Sequence, residues 1–202
     1  MNARTYVAAI LLCIITGCQQ RTTSVSDPIG WKVISRELIY NRSDGALIID
    51  YIDSEEWVLR TETSSYVRTL RQTSKTYTAR VEWIDAQGKR RADPELNLWN
   101  ASTPQQFLNR QKRALIGKTI TPSLVERILK PLTLNAKTSY RGVYCGQSVL
   151  VIDHGDIKSH YDVKTGTLLA QFRHGIPYLT LQTGKWELQQ GKKRGIYHIV
   201  CR

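Results

Sequence analysis

The sequence predicts an α+β fold that is mainly β: one antiparallel sheet of hairpins, with two helices over about 103–132 packed on one face. Three observations carry this. Short apolar runs recur, the clearest alternating with polar residues at the period of a strand; glycine-bearing turns separate them; and only one stretch, 103–132, repeats its apolar residues at helical spacing.

The chain opens on a short segment carrying Arg4, followed by an apolar run over 6–15 that ends in small residues and a cysteine. Too short to span a bilayer, this reads as a secretory signal. Ile15-Thr16-Gly17-Cys18 resembles the lipobox of bacterial lipoproteins, in which the peptide is cut before the cysteine and that cysteine is acylated. The resemblance implies a signal peptide over 1–17 and lipidation of Cys18. Residues 18–29 are polar without a usable period and read as a tether, leaving a single β-rich domain over 30–202. Gln19 stands where enteric lipoproteins retained in the inner membrane carry aspartate, which implies a lipid-anchored protein of the outer membrane.

The folded part starts at Trp31. Segments 31–34, 46–52 and 57–59 read as strands, with Asn41-Arg42-Ser43-Asp44-Gly45 as a turn. In 77–83 the residues Tyr77, Ala79, Val81 and Trp83 take one face, and Thr78, Arg80 and Glu82 the other. Asp85-Ala86-Gln87-Gly88 fits a hairpin turn, after which Lys89, Arg90 and Arg91 follow on the exposed side.

Pro104 suits a first helical turn and Gly117 its end, with Phe107, Leu108, Leu115 and Ile116 at helical spacing between them. A second helix is expected to start from a capping box of Ser123 and Glu126 and to stop at Pro131. Leu124, Val125, Ile128, Leu129 and Leu132 form its apolar stripe, which suits a surface facing the core of a sheet.

Strands return at 140–144, 148–153, 157–163, 167–173, 178–182 and 196–201, with turns at Gly155, Gly166, Gly175, Gly184 and Gly191. The last turn gathers Lys192, Lys193 and Arg194 on a flexible tip.

Charge and cysteines narrow the function. The whole chain carries a net charge of +12; without residues 1–17 it keeps 28 basic and 17 acidic side chains, a net +11. Such an excess attracts anionic partners over long range. An exported, tethered chain rarely meets nucleic acid, so an anionic envelope component or an acidic protein face is the expected partner. Lys89, Arg90, Arg91, Lys192, Lys193 and Arg194 are the candidate contacts.

With Cys13 in the signal and Cys18 acylated, Cys145 and Cys201 remain, and in an oxidising compartment the simplest fate of such a pair is a disulfide. The alternative is a nucleophilic Cys145 served by His154 or His198, which would echo the cysteine-then-histidine order of some cell-wall peptidases. No helix start precedes Cys145 to lower its pKa.

Asp153, His154, Asp156, His160 and Asp162 match no defined zinc or calcium spacing and read as solvated hairpin residues. There is no glycine-rich phosphate loop, no His-Glu-x-x-His and no Gly-x-Ser-x-Gly. No catalytic residue, metal or cofactor is therefore expected.

Five short motifs in order, Gly30-Trp31-Lys32-Val33, Asp53-Ser54, Tyr144-Cys145, Tyr161 with Gly166, and Cys201, make the two ends of the domain resemble the surface-adhesin protein E type of outer-membrane lipoprotein. That resemblance implies a sheet backed by helix, a disulfide and a binding role. It carries over no ligand residues. The order strands, two amphipathic helices, strands is also similar to the half-barrel with a helical lid of lipoprotein-sorting proteins, which would imply a carrier of lipid or lipoprotein acyl chains. A secretion-apparatus lipoprotein is a further alternative.

Overall fold

The computed structural model describes residues 22–92 and 114–201. They form an open antiparallel sheet with one short helix, and the strands in chain order are β1 (Thr23–Ser24), β2 (Lys32–Arg42), β3 (Leu47–Ile52), β4 (Glu56–Glu62), β5 (Tyr66–Thr73), β6 (Tyr77–Ile84) and β7 (Arg90–Ala92). After helix α1 (Pro122–Thr133) come β8 (Thr138–Tyr144), β9 (Gln147–Asp153), β10 (Ile157–Asp162), β11 (Leu168–Arg173), β12 (Ile176–Gln190) and β13 (Lys193–Val200).

Two meanders meet at the centre. The hydrogen-bonded order is β7-β6-β5-β4-β3-β2-β12-β11-β10-β9-β8, so the first strand of the first meander pairs with the penultimate strand of the chain. The second side of β12 is shared: residues 176–180 face β11, and residues 183–190 face β13. Beyond β13 lies β1, paired with it in parallel.

Register slips between β12 and β2 fall at Leu181/Thr183 and Glu187/Leu188, with others at His160/Tyr161 and Gln171/Phe172. Such bulges bend a strand and raise its twist, so this sheet curls. Its concave side holds the core, in which Leu38, Ile52, Leu169, Leu181, Trp186 and Ile199 are all nearly inaccessible.

The sheet edges differ in length and charge. At one end β7 has three residues and presents Arg90 and Arg91, a short charged edge that discourages pairing with another chain. At the other end β8 has seven.

The structure changes four of the expected elements. Among the described residues there is one helix, not two. Most of the first expected helix falls in 93–113, outside the described residues; in its described tail, Leu115-Ile116-Gly117, Leu115 has φ +65 and Ile116 bridges in parallel to Val33. Helix α1 starts two residues earlier than the expected box, because Thr121 caps it by accepting from the Leu124 N–H at 3.2 Å while Pro122 fills the first turn. Pro131 lies inside α1, close enough to its end that little of the helix depends on the missing N–H.

Gly184 is no turn. It sits inside the 15-residue β12, where a Cβ would stand 2.7 Å from the Trp186 ring and 3.1 Å from Leu38. Glycine is there to admit the indole, which then packs on Tyr197 at 5.4 Å between ring centres.

The described part of the tether is docked rather than free. Thr23 and Ser24 pair with Gly195 and Ile196, and Val25 is buried at 8% exposure.

Candidate functional site

Helix α1 is placed by the segment before it. The Val33 N–H donates to the Lys118 carbonyl at 3.0 Å, the Gly117 N–H to Val33 at 2.9 Å, and the Ile120 N–H to Trp31 at 2.8 Å. This extends the sheet beside the start of β2 and aims α1 across the concave face. The expected stripe does face inward: Val125 and Leu129 are buried, and Ile128 and Leu132 are half-buried. At Gly166 the helix meets the β10–β11 turn so closely that a Cβ there would stand 3.3 Å from Ile128.

Among the described residues, two grooves flank α1. The first, about 510 Å³, runs between α1 and the β8–β9 side; Val125, Leu129, Leu150 and Val163 supply apolar wall, and exposed Lys130, Arg141 and Glu126 supply the rim. The second, about 370 Å³, lies toward β2–β4 and is walled by Leu38, Ile48, Leu59, Ile128 and Leu132. Its polar feature is an ion pair, Arg36 Nη2 to Asp50 at 3.0 Å, and the other Asp50 oxygen accepts from the Trp57 indole N–H at 2.7 Å. Both volumes lie in the usual range of small-ligand sites, about 300–1,000 Å³.

Below α1, the β10–β11 turn holds a buried acid. Asp162 is fully buried, and its Oδ2 accepts from the Thr165 N–H at 2.9 Å and the Thr165 hydroxyl at 2.5 Å. Its Oδ1 has no hydrogen-bond partner among the described residues. Burial pushes this carboxyl above the usual 3.8, and the Thr165 hydroxyl and the backbone N–H groups of Lys164 and Thr165 offset only part of that.

The sign of the pH effect follows. With its pKa raised, the native state holds the proton more tightly than the unfolded chain, so Asp162 favours folding at low pH and loses that contribution as pH rises from 3.8 through the raised value. Asp162→Asn keeps an acceptor for Thr165 and removes the titration. Its urea midpoint is expected to change less than that of the wild-type protein between about pH 4 and pH 7. Equal slopes in the two proteins would show that the buried carboxyl does not contribute.

The disulfide is present: Cys145 and Cys201 are bonded, with Cα atoms 5.1 Å apart. A bonded Cys145 sulfur is not a nucleophile. The two basic runs are not brought together. Lys192, Lys193 and Arg194 stand at the end of the sheet where Lys32 opposes Gln189, whereas Lys89, Arg90 and Arg91 follow the β6–β7 turn at the opposite strand end. Arg91 is paired there with Asp85 at 3.6 Å.

The acid-and-histidine run is not uniformly solvated. Asp156 and His154 are exposed, but Asp162 is core and His160 is half-buried, with ring centres 5.1 Å from Tyr144 and 5.0 Å from Phe172. Burial, and then the nearby Lys158 charge, hold the His160 pKa below the usual histidine value. No group of three or more metal-binding side chains occurs among the described residues.

Of the groove residues, the helical stripe was visible in the apolar spacing of the sequence. Leu150 and Val163 carried no separate signal, and neither did the Arg36–Asp50 pair, because each partner lies on a different strand. No protein-family model and no curated protein matches this chain.

Proposed function

We propose that this chain is a lipid-anchored envelope protein, not an enzyme, that takes the apolar chain of an anionic amphiphile, such as a lipid or a lipoprotein acyl chain, into the grooves beside α1. The carrying observation is that, among the described residues, apolar wall lies beside α1 on both sides, in grooves of about 510 and 370 Å³. Lys130 and Arg141 at the rim of the larger groove suit an anionic head group while the chain lies against Leu129 and Leu150. Anchoring through Cys18 and an outer-membrane address are part of the same reading. The separation of the two basic runs weighs against a single adhesive surface made of both.

Displacement of a dansyl-labelled fatty acid tests this on the mature protein. Leu150→Trp fills the larger groove and is expected to weaken binding at least tenfold, at a packing cost of about 1–3 kcal/mol that leaves the protein folded. Lys130→Glu with Arg141→Glu should weaken an anionic probe more than its neutral ester. Binding unchanged by Leu150→Trp, or no binding of any amphiphile, would remove the groove reading and leave a tethered binding module acting through its hairpin tips.

A further inference from the structure

We propose that the strand end carrying Lys32, Lys118, Lys192, Lys193 and Arg194 lies on the anionic head groups of a phospholipid bilayer, as an electrostatic contact beside the lipid anchor. The biological setting rests on the reading of Cys18 as acylated; the charge and geometry do not.

These five cations come from three separate parts of the chain, and the sheet collects them. Lys32 opposes Gln189 of β12, Lys193 and Arg194 oppose Gln190 and Gln189 from β13, and Lys118 precedes Thr119, which bridges to Lys32. Neighbouring strands lie about 4.8 Å apart, so these four lanes span about 15 Å. All five side chains are exposed, and none has an ion-pair partner among the described residues. Glu187 pairs with Lys185 at 3.5 Å, and Asp27 faces Lys164 at 4.0 Å.

The second observation is where the anchor must leave the domain. Thr23 pairs with Gly195, and its hydroxyl donates to the Arg194 carbonyl at 3.3 Å, so the N-terminal segment departs from the flank of this same tip. Five peptide steps separate Thr23 from Cys18, a reach of at most about 18 Å. The docked β1 thus turns a long tether into a short one, and holds the basic end within reach of the surface that holds the lipid.

A basic patch adds a salt-sensitive contribution to the membrane binding that an acyl anchor gives. This placement has a consequence for the grooves. Because Ile120 is hydrogen-bonded to Trp31, α1 begins at this same strand end, and Pro122 at its start lines the larger groove.

Sedimentation with vesicles tests the contact on the mature chain carrying Cys18→Ala, which has no acyl group. The protein should bind phosphatidylcholine vesicles containing about one-third phosphatidylglycerol, bind pure phosphatidylcholine poorly, and be released by salt. Combining Lys192→Glu, Lys193→Glu and Arg194→Glu should lower the partition coefficient about a hundredfold or more. The matching reversal of Lys89, Arg90 and Arg91 should change it less than about threefold, and Leu150→Trp should leave it unchanged. Equal loss from both reversals would mean that only net charge matters. Loss on Leu150→Trp would place the contact in the groove, and binding to lipopolysaccharide or acidic protein without binding to these vesicles would give the patch another partner; each of these overturns the proposal.

Discussion

Protein lacking the Cys145–Cys201 bond is expected to be less stable by about 2–5 kcal/mol, enough to threaten folding at growth temperature in a domain of this size. The bond joins residues 56 positions apart, and closing such a loop removes about 4 kcal/mol of unfolded-state freedom in the chain-entropy account. It also holds the curl. Strands β9, β10 and β11 stand between β8 and β12, so in a flat sheet β8 would lie about 19 Å from β12. Yet Cys145, at the β8–β9 turn, is bonded to Cys201, whose N–H donates to Gln182 of β12 at 3.1 Å.

The turn complicates the choice of variant. Cys145 and Gly146 have φ of +52 and +68, the signature of a two-residue hairpin turn with both central residues left-handed. A non-glycine residue there costs about 1–2 kcal/mol, so Cys145→Gly relieves turn strain while breaking the bridge, and Cys201→Ser breaks the bridge alone. Urea unfolding should therefore rank wild type above Cys145→Gly, and Cys145→Gly above Cys201→Ser. If Cys201→Ser unfolded at the wild-type midpoint, and both thiols of native protein were alkylated without reductant, the bridge would have no structural role and a reactive Cys145 would return to consideration.

Cys18→Ala is expected to release the protein from membranes after a high-salt wash. No helix among the described residues is long and apolar enough to cross a bilayer, so on the proposed reading the acyl group supplies the salt-resistant part of binding. The basic strand end supplies the other part, about 1 kcal/mol for each cation near an anionic surface, and salt screens it. Fractionation should then show Cys18→Ala protein partly membrane-associated at low salt and soluble at high salt, with wild type pelleting in both. Variant protein that stays with the membrane at high salt would mean that the anchor is not Cys18 or that a tight partner holds the domain.

How far the sequence reached depended on the range of the interaction. Alternation in 77–83 placed Tyr77, Ala79, Val81 and Trp83 on one face of β6, because the two-residue period of a strand is a property of the backbone, although Trp83 at the strand's end is 48% exposed. The apolar stripe of α1 and the pairing of two leftover cysteines were likewise legible, one from helical period and the other from counting. Local signals also misled where a distant contact overrode them. Gly184 has the composition of a turn, but it is set in a central strand because Trp186 needs the space above it.

Only the tertiary structure decided the rest. The meeting of β2 with β12, the docking of Thr23 beside Gly195 and the burial of Asp162 each join residues that no short window contains together. The grooves are the clearest case, since a groove is the space left between elements, and its width depends on how far the sheet curls. The sequence by itself determined a β-rich chain with the apolar stripe of α1, although it also led to a second helix before it, and an excess of positive charge. Packing decided which apolar surfaces face the grooves among the described residues and which of the two basic runs stands beside β1, because both depend on strand order and curvature, which arise from long-range pairing.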